Sequence, residues 1–279
     1  MQKKNFYTYL LLNFLLAFFL SMGIHQIRAA GSYSRLNENT VTTEAFRSQE
    51  LDEELFDSIQ AVKDPGEILG LYWLEADFKP GKLSFSPDLF PVMKKKWASQ
   101  TDYQDYIQVC RSIWNDAVYF PVPEPAGNVN AKVTFIDSWM FERNYGGRRG
   151  HEGTDIMAVE DKRGWYPVVS MTDGVILHKG WLEKGGYRLG ITAPGGAYFY
   201  YAHLDSYTDL EEGDTVRAGD LLGYMGDTGY SKIEGTTGNF PVHLHMGIYI
   251  YRGNKEISIN PYWILRRTES RKIKCVYSR

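Results

Sequence analysis

The chain has 279 residues, of which 43% are hydrophobic, and a formal net charge of −3 at pH 7. This length supports one large domain or two small ones with a real hydrophobic core. Because no basic excess is available to neutralise a phosphate backbone, we expect no nucleic-acid partner.

An apolar run over residues 6–24 follows Lys3 and Lys4. Positive residues before such a run are typical of an export signal. The run is roughly 19 residues long, beyond the ~7–15 of a signal-peptide core and near the ~20 that span a bilayer. Residues 1–30 therefore predict either a cleaved signal peptide or a membrane anchor through 6–24. Either places the rest outside the cytoplasm, secreted or held at the membrane facing the wall.

Residues 31–43 are polar and predict a flexible tether. From 44 to 120 the apolar residues recur at helical spacing, which predicts a small α-helical region. Asp64 followed by Pro65 has the pattern of a helix cap with proline at the first helical position. This region carries no recognisable chemistry, so we expect it to pack, to act as a spacer or to dock a partner.

The chain has only two cysteines, Cys110 and Cys275, so it is not a disulfide scaffold. Apolar residues surround Cys110 at helical spacing over 103–114, which predicts a buried free thiol. A disulfide with Cys275 is the alternative.

Prolines recur over 121–130 and predict a stiff, extended linker between two domains. After it, glycines become frequent and short β-rich runs alternate with turn signals. Residues 131–265 therefore predict a mainly β domain of antiparallel sheets. The basic segment 266–279 predicts a solvated tail.

Two histidines lie one residue apart in PVHLHMGIYI, residues 241–250. Side chains alternate between the faces of a strand, so His243 and His245 share one face. The opposite face is apolar and predicts core: Val242, Leu244, Met246, Ile248 and Ile250. Taken alone, the pair could equally be two partly exposed histidines at a sheet edge.

His151 and Asp155 stand four residues apart in HEGTD, where the glycines disfavour a helix. In an extended segment they share a face, and Glu152 points elsewhere. His203 ends AYFYYAH, and regular alternation would put it on the same face as Phe199 and Tyr201.

Taken together, these residues predict a metal site. A catalytic zinc site commonly has three protein ligands and one open position. His151, Asp155 and one member of the His243/His245 pair supply three ligands. The two remaining histidines match the need of metal-assisted hydrolysis for a base and an oxyanion-stabilising group.

Three blocks, GGRRGHEGTDIMA, YYAHLDSY and HLHMGI, resemble the signature blocks of the lysostaphin/LytM-type zinc metalloendopeptidases, which cut peptide bonds in bacterial peptidoglycan. The segments DGVILHKG, EEGDTVRAGDLLGYMGDTGYS and NPYWIL resemble the same family, in the same order, over 131–265. The helical region is not covered by the resemblance.

The resemblance implies that His151, Asp155 and His245 bind Zn²⁺ and that His243 is the general base. It implies that His203 assists the base or stabilises the oxyanion. Two departures concern the groove: Met246-Gly247 replaces the Phe-Glu that often follows His-x-His, and SKIEGTTGNFPV is longer than the usual approach to it.

The resulting hypothesis is an exported zinc metalloendopeptidase that acts on peptidoglycan stem peptides or cross-bridges. One alternative is a non-catalytic wall-binding or regulatory module on the same lysostaphin/LytM-like fold. Another is a peptidase directed at proteins rather than at the wall, which would have the same zinc site.

Overall fold

The computed structural model describes residues 11–23, 35–84, 86–127 and 130–277. Most of the predicted signal or anchor, 1–30, lies outside them. Among the described residues, no helix is both long enough and apolar enough to cross a bilayer. The α-helices are α1 (11–23), α2 (Glu44–Arg47), α3 (Glu53–Ser58), α4 (Pro65–Ala76), α5 (Phe90–Trp97), α6 (Tyr103–Trp114) and α7 (Tyr262–Glu269), with 3₁₀ turns at Thr40–Thr42 and Pro87–Leu89.

Fourteen strands follow the helical region within the described residues. They are β1 (Glu124–Pro125), β2 (Val133–Thr134), β3 (Glu142–Arg143), β4 (Arg149–Gly150), β5 (Thr154–Ala158), β6 (Pro167–Val169), β7 (Gly174–Leu182), β8 (Gly186–Thr192), β9 (Tyr198–Tyr207), β10 (Thr215–Val216), β11 (Leu221–Met225), β12 (His243–Arg252), β13 (Lys255–Ile259) and β14 (Lys274–Cys275).

The main sheet is antiparallel, with strand order β10-β7-β8-β9-β12-β5-β2. Strand β13 also pairs with β12, and β11 pairs with both β6 and β9. This confirms the predicted mainly β domain. One face of β12 is buried as predicted: Leu244, Met246 and Ile248 have no exposed surface. The opposite face is therefore free to present the histidines.

Two helices of the helical region, α4 and α6, pack closely through glycine. A Cβ at Gly66 would lie 2.6 Å from the Arg111 backbone, so only glycine permits this approach. The Asp64 carboxylate accepts a hydrogen bond from the backbone N–H of Glu67, which confirms the predicted cap before Pro65. Both cysteines are free and Cys110 is buried.

The helical region and the sheet share one hydrophobic core, which extends across the predicted domain boundary. The predicted linker is extended but packed, because Phe120 and Val122 are buried and Pro121 O accepts from Val169 N at 2.9 Å. Segments 35–43 and 266–277, predicted as tether and solvated tail, also pack onto this core. Val41 and Thr268 are buried.

Apolar residues explain why segment 266–277, predicted as a solvated tail, packs onto the core. The buried side chains of Trp263, Ile264 and Leu265 fix α7 to the core and draw in the residues that follow. β14 then pairs with β1. The hydroxyl of Tyr277 donates to Pro123 O at 2.7 Å.

Candidate metal centre

Two neighbouring strands and one hairpin bring the predicted metal ligands together. β5 and β12 are antiparallel neighbours, and Asp155 lies directly opposite His245 in their register. His151 follows the β3–β4 hairpin, to which it is fixed by hydrogen bonds with the backbones of Met140 and Phe141. Cross-strand neighbours lie close enough for their side chains to touch.

The three side chains converge through one atom each. His151 Nε2 lies 3.0 Å from Asp155 Oδ1 and 2.9 Å from His245 Nδ1. His245 Nδ1 lies 3.0 Å from the same Asp155 oxygen. Zn–N and Zn–O bonds of about 2.0–2.2 Å give a tetrahedral face with edges of roughly 3.3 Å. The size and the His, Asp, His chemistry of this group therefore fit zinc.

Two of the three candidate ligands, His151 and Asp155, are held from behind. His151 Nδ1 lies 3.2 Å from the backbone oxygen of Ser138, which accepts its proton and leaves Nε2 free for a metal. Arg143 donates to the second oxygen of Asp155. Burial alone would raise the pKa of Asp155, but its side-chain interactions with His151 and His245 outweigh it and hold that pKa well below its usual range. Asp155 is thus a carboxylate.

Glycine makes room for His245. A Cβ at Gly153 would lie 2.5 Å from His245 Cε1 and 2.7 Å from the backbone oxygen of Met246. The backbone of β5 therefore approaches the imidazole directly, and any side chain at this position would push against the ring.

His243 and His203 lie beside the three ligands, as predicted. His243 Nε2 is 3.8 Å from Asp155 Oδ1, and the rings of His203 and His243 have centroids 4.7 Å apart. Burial, and then the charges of His243 and His245, lower the pKa of His203 well below its usual value. His203 is therefore a neutral imidazole.

The face of His203 differs from the prediction. Phe199 and Tyr201 point into the core, whereas His203 lines the cavity above the metal ligands. His203 has a φ of +61°, and the pairing register of β9 shifts beside it. This local irregularity breaks the alternation, which sequence spacing alone does not reveal.

The long loop before β12 supplies an aromatic wall that the sequence did not predict. The Phe240 ring lies 4.7 Å from that of His203 and 5.0 Å from that of His243. Tyr230 packs on Phe240 and stacks on Tyr145 at 4.6 Å. Two sequence features could have indicated this wall: the unusual length of SKIEGTTGNFPV and its single aromatic residue.

A cavity of about 350 Å³ opens over the metal ligands. Its lining residues all lie between Arg149 and Glu256, and in the described part of the chain none comes from the helical region. That region instead supports the cavity from outside. Arg47 pairs with Glu152 at 2.8 Å, and Glu44 accepts from the indole of Trp139 at 2.6 Å. Glu152 is thus paired with the helical region and is not one of the three converging side chains.

Comparisons with known proteins agree with this geometry. Residues 149–261 match the Peptidase family M23 model, and residues 31–116 match the LytM N-terminal domain model. The L-Ala–D-Glu endopeptidase of Bacillus subtilis (strain 168) is 39% identical over 151 residues, covering 54% of this chain and 43% of that protein. Glycyl-glycine endopeptidase ALE-1 of Staphylococcus capitis is 37% identical over 67 residues, covering 23% of this chain and 18% of that protein. The chain thus spans less than half the length of these two relatives.

A crystal structure gives a match over nearly the whole chain. It is of a provisionally assigned glycyl-glycine endopeptidase LytM from Ruminococcus gnavus ATCC 29149, with 56% identity and a TM-score of 0.84. The match covers 88% of this chain and 99% of that one. Fold, ligand set and relatives together define the class of metallo-endopeptidases. The chain belongs to Peptidase family M23.

Proposed function

We propose that this chain is a zinc-dependent endopeptidase that cuts a peptide bond in bacterial peptidoglycan. The observation that carries the proposal is the convergence of His151 Nε2, Asp155 Oδ1 and His245 Nδ1 at about 3 Å from one another, beneath an open cavity. Three such atoms leave a coordination position for substrate or water, as in catalytic rather than structural zinc sites.

His151, Asp155 and His245 would hold the zinc ion, which supplies Lewis acidity that polarises a carbonyl and acidifies water. The protein itself provides the proton acceptor. His243 Nδ1 lies 2.8 Å from Pro241 O, so Nδ1 carries a proton and Nε2 is the free acceptor. Because Nε2 faces the metal ligands, we assign His243 as the general base.

His203 has the same proton arrangement. Its Nδ1 lies 2.7 Å from Thr228 O and donates there, which leaves Nε2 without a proton in the neutral ring. Of the two roles considered from the sequence, assisting proton transfer therefore suits the neutral His203 better. Stabilising an oxyanion would require the second proton.

Peptidoglycan is an extracytoplasmic substrate, so the proposal includes export, by a cleaved signal or an anchor through residues 6–24. The activities for which the relatives are named leave two bonds to consider, L-Ala–D-Glu and glycyl-glycine.

The test is mass spectrometry of soluble products after the purified full chain is incubated with peptidoglycan. We expect new peptide termini that disappear with a zinc chelator and return with added Zn²⁺. Their sequence identifies the bond. A zinc-loaded chain that binds peptidoglycan and releases no peptide would contradict the proposal and favour a wall-binding module.

A further inference from the structure

Three cationic side chains line the metal cavity: Arg149, Lys184 and Arg188. Within the described residues, none of the three forms an ion pair. Of the acidic residues lining the same cavity, Glu152 is paired with Arg47 and Asp155 belongs to the metal ligands. The cavity therefore has positive charge that the described part of the chain does not neutralise.

Arg188 shows the strongest sign of a missing partner. Its Nη1 is buried and has no hydrogen-bond partner among the described residues. The Nε of Arg149 is also buried and has no hydrogen-bond partner among the described residues. Burying a guanidinium nitrogen without a partner costs free energy. Arg143, Arg252 and Arg267 have such a nitrogen too, but among these described residues only Arg149 and Arg188 line the cavity. Two of them in one open cavity indicate a ligand that accepts hydrogen bonds.

The sheet places Arg188 in line with the metal ligands. Leu189 pairs with Tyr201 and Tyr187 with Leu204, so Arg188 lies beside Ala202, which in turn pairs with His245. Strand β9 separates β8 from β12, so their backbones are about 10 Å apart. An extended peptide rises roughly 3.4 Å per residue, so this distance corresponds to about three residues.

The remaining acidic residue lies on the other side of the metal ligands. Glu256 is on β13, and the two strands β9 and β12 separate it from β8. Strands β8 and β13 are therefore three strand spacings apart across the sheet, roughly 14 Å. The Glu256 carboxylate accepts from the hydroxyl of Tyr251 at 3.1 Å. Two of the cations, Arg188 and Lys184, are thus on β8 and the turn before it, whereas Arg149 is on β4.

We propose that Arg188, with Arg149 and Lys184, forms an anion subsite that binds a carboxylate of an acidic peptide within about three residues of the cleaved bond. The inference deepens the proposed function and rests on it for the peptide nature of the ligand. Guanidinium groups bind carboxylates with strong, charge-assisted hydrogen bonds. A glycyl-glycine segment has no side-chain carboxylate. D-Glu has two carboxyl groups, so that one remains free when the other forms a peptide bond.

The experiment compares two synthetic peptides that differ only in charge: an L-Ala–D-Glu peptide with its free carboxylate, and the same peptide with that group amidated. Binding to the full chain is measured by calorimetry with chelator present, so that no cleavage occurs. Cleavage of both peptides and of pentaglycine is measured with zinc. We expect the acidic peptide to be preferred about 10- to 100-fold, the range of a hydrogen bond to a charged group.

Arg188→Gln should remove this preference, mainly through binding and KM, and Arg188→Lys should restore part of it. Arg217→Gln is the matched control, because Arg217 is exposed and does not line this cavity. It should keep the full preference. Arg149→Gln is the second variant, in case Arg188→Gln has a lowered melting temperature.

Equal binding of the acidic and amidated peptides by the unchanged chain would overturn the subsite, as would equal behaviour of Arg188→Gln and Arg217→Gln. If no peptide is cleaved but the preference in binding remains, the subsite stands and the proposed function fails. The two failures are thus distinguishable.

Discussion

Replacing Gly153 by alanine should weaken zinc binding without unfolding the chain. The backbone at Gly153 does not have positive φ, so alanine adopts it without strain. The added Cβ, however, would lie 2.5 Å from His245 Cε1, whereas ordinary contacts begin near 3.4 Å. The Met246 oxygen at 2.7 Å belongs to the middle of the sheet and cannot move away.

The imidazole of His245 must therefore retreat by about 0.9 Å, the difference between these two distances. Zinc ligand distances are typically kept within about 0.2 Å. We expect zinc affinity to fall by at least 10- to 100-fold, roughly the cost of losing a group that merely orients a ligand. The local crowding itself should lower the unfolding free energy by about 1–3 kcal/mol.

Zinc affinity is measured by competition with a chromogenic chelator, and the fold is checked by near-ultraviolet circular dichroism and thermal unfolding. Arg217→Gln is again the control, because Arg217 is exposed and does not line the metal cavity. If Gly153→Ala binds Zn²⁺ within threefold of the unchanged chain while remaining folded, the geometry assigned to His245 is wrong.

Three further predictions concern other parts of the molecule. His243→Ala should keep its zinc, since His243 is not one of the three converging ligands, but should lose about 10²–10⁴-fold in kcat/KM for peptide cleavage; loss of the metal instead would make His243 a ligand. Asn260→Ala should lower the unfolding free energy in urea by about 2–3 kcal/mol, because the buried Asn260 amide donates to Ser48 O at 3.1 Å and its loss leaves polar groups unpaired. An unchanged urea midpoint would contradict this. A thiol reagent at neutral pH should modify Cys275 but not Cys110, whose burial raises the pKa of its thiol, and should modify both after denaturation; a disulfide would leave neither reactive.

The sequence was sufficient to bring the candidate metal ligands together because their spacing is local. Alternation along β12 puts His243 and His245 on one face and the apolar residues on the other, and the structure has this arrangement. The i, i+4 spacing of His151 and Asp155 likewise needs only an extended chain. Each pair is determined by a few consecutive residues, which is why a period of two was enough to predict it.

Features that depend on long-range packing were not predictable in this way. His203 reaches the cavity through a positive φ that breaks strand alternation. Arg143 reaches Asp155 only because the β3–β4 hairpin folds onto β5. Prolines over 121–130 gave the expected extended chain, but spacing along the sequence cannot show that this chain packs between Val169 and β14.

Except for Arg149 on β4, the proposed anion subsite and the candidate metal ligands belong to different elements of the chain. The metal ligands lie on β5, β12 and the residue after β4, whereas Arg188 and Lys184 belong to β8 and the turn before it. No hydrogen bond among the described residues joins either cation to His151, Asp155 or His245. A substitution at Arg188 can therefore change which peptide is bound and leave the zinc ligands in place. The converse holds for Gly153, because the nearest atoms to an added Cβ belong to His245 and Met246 on β12. Because the two effects separate in this way, variants at the two positions can test the metal centre and the anion subsite independently.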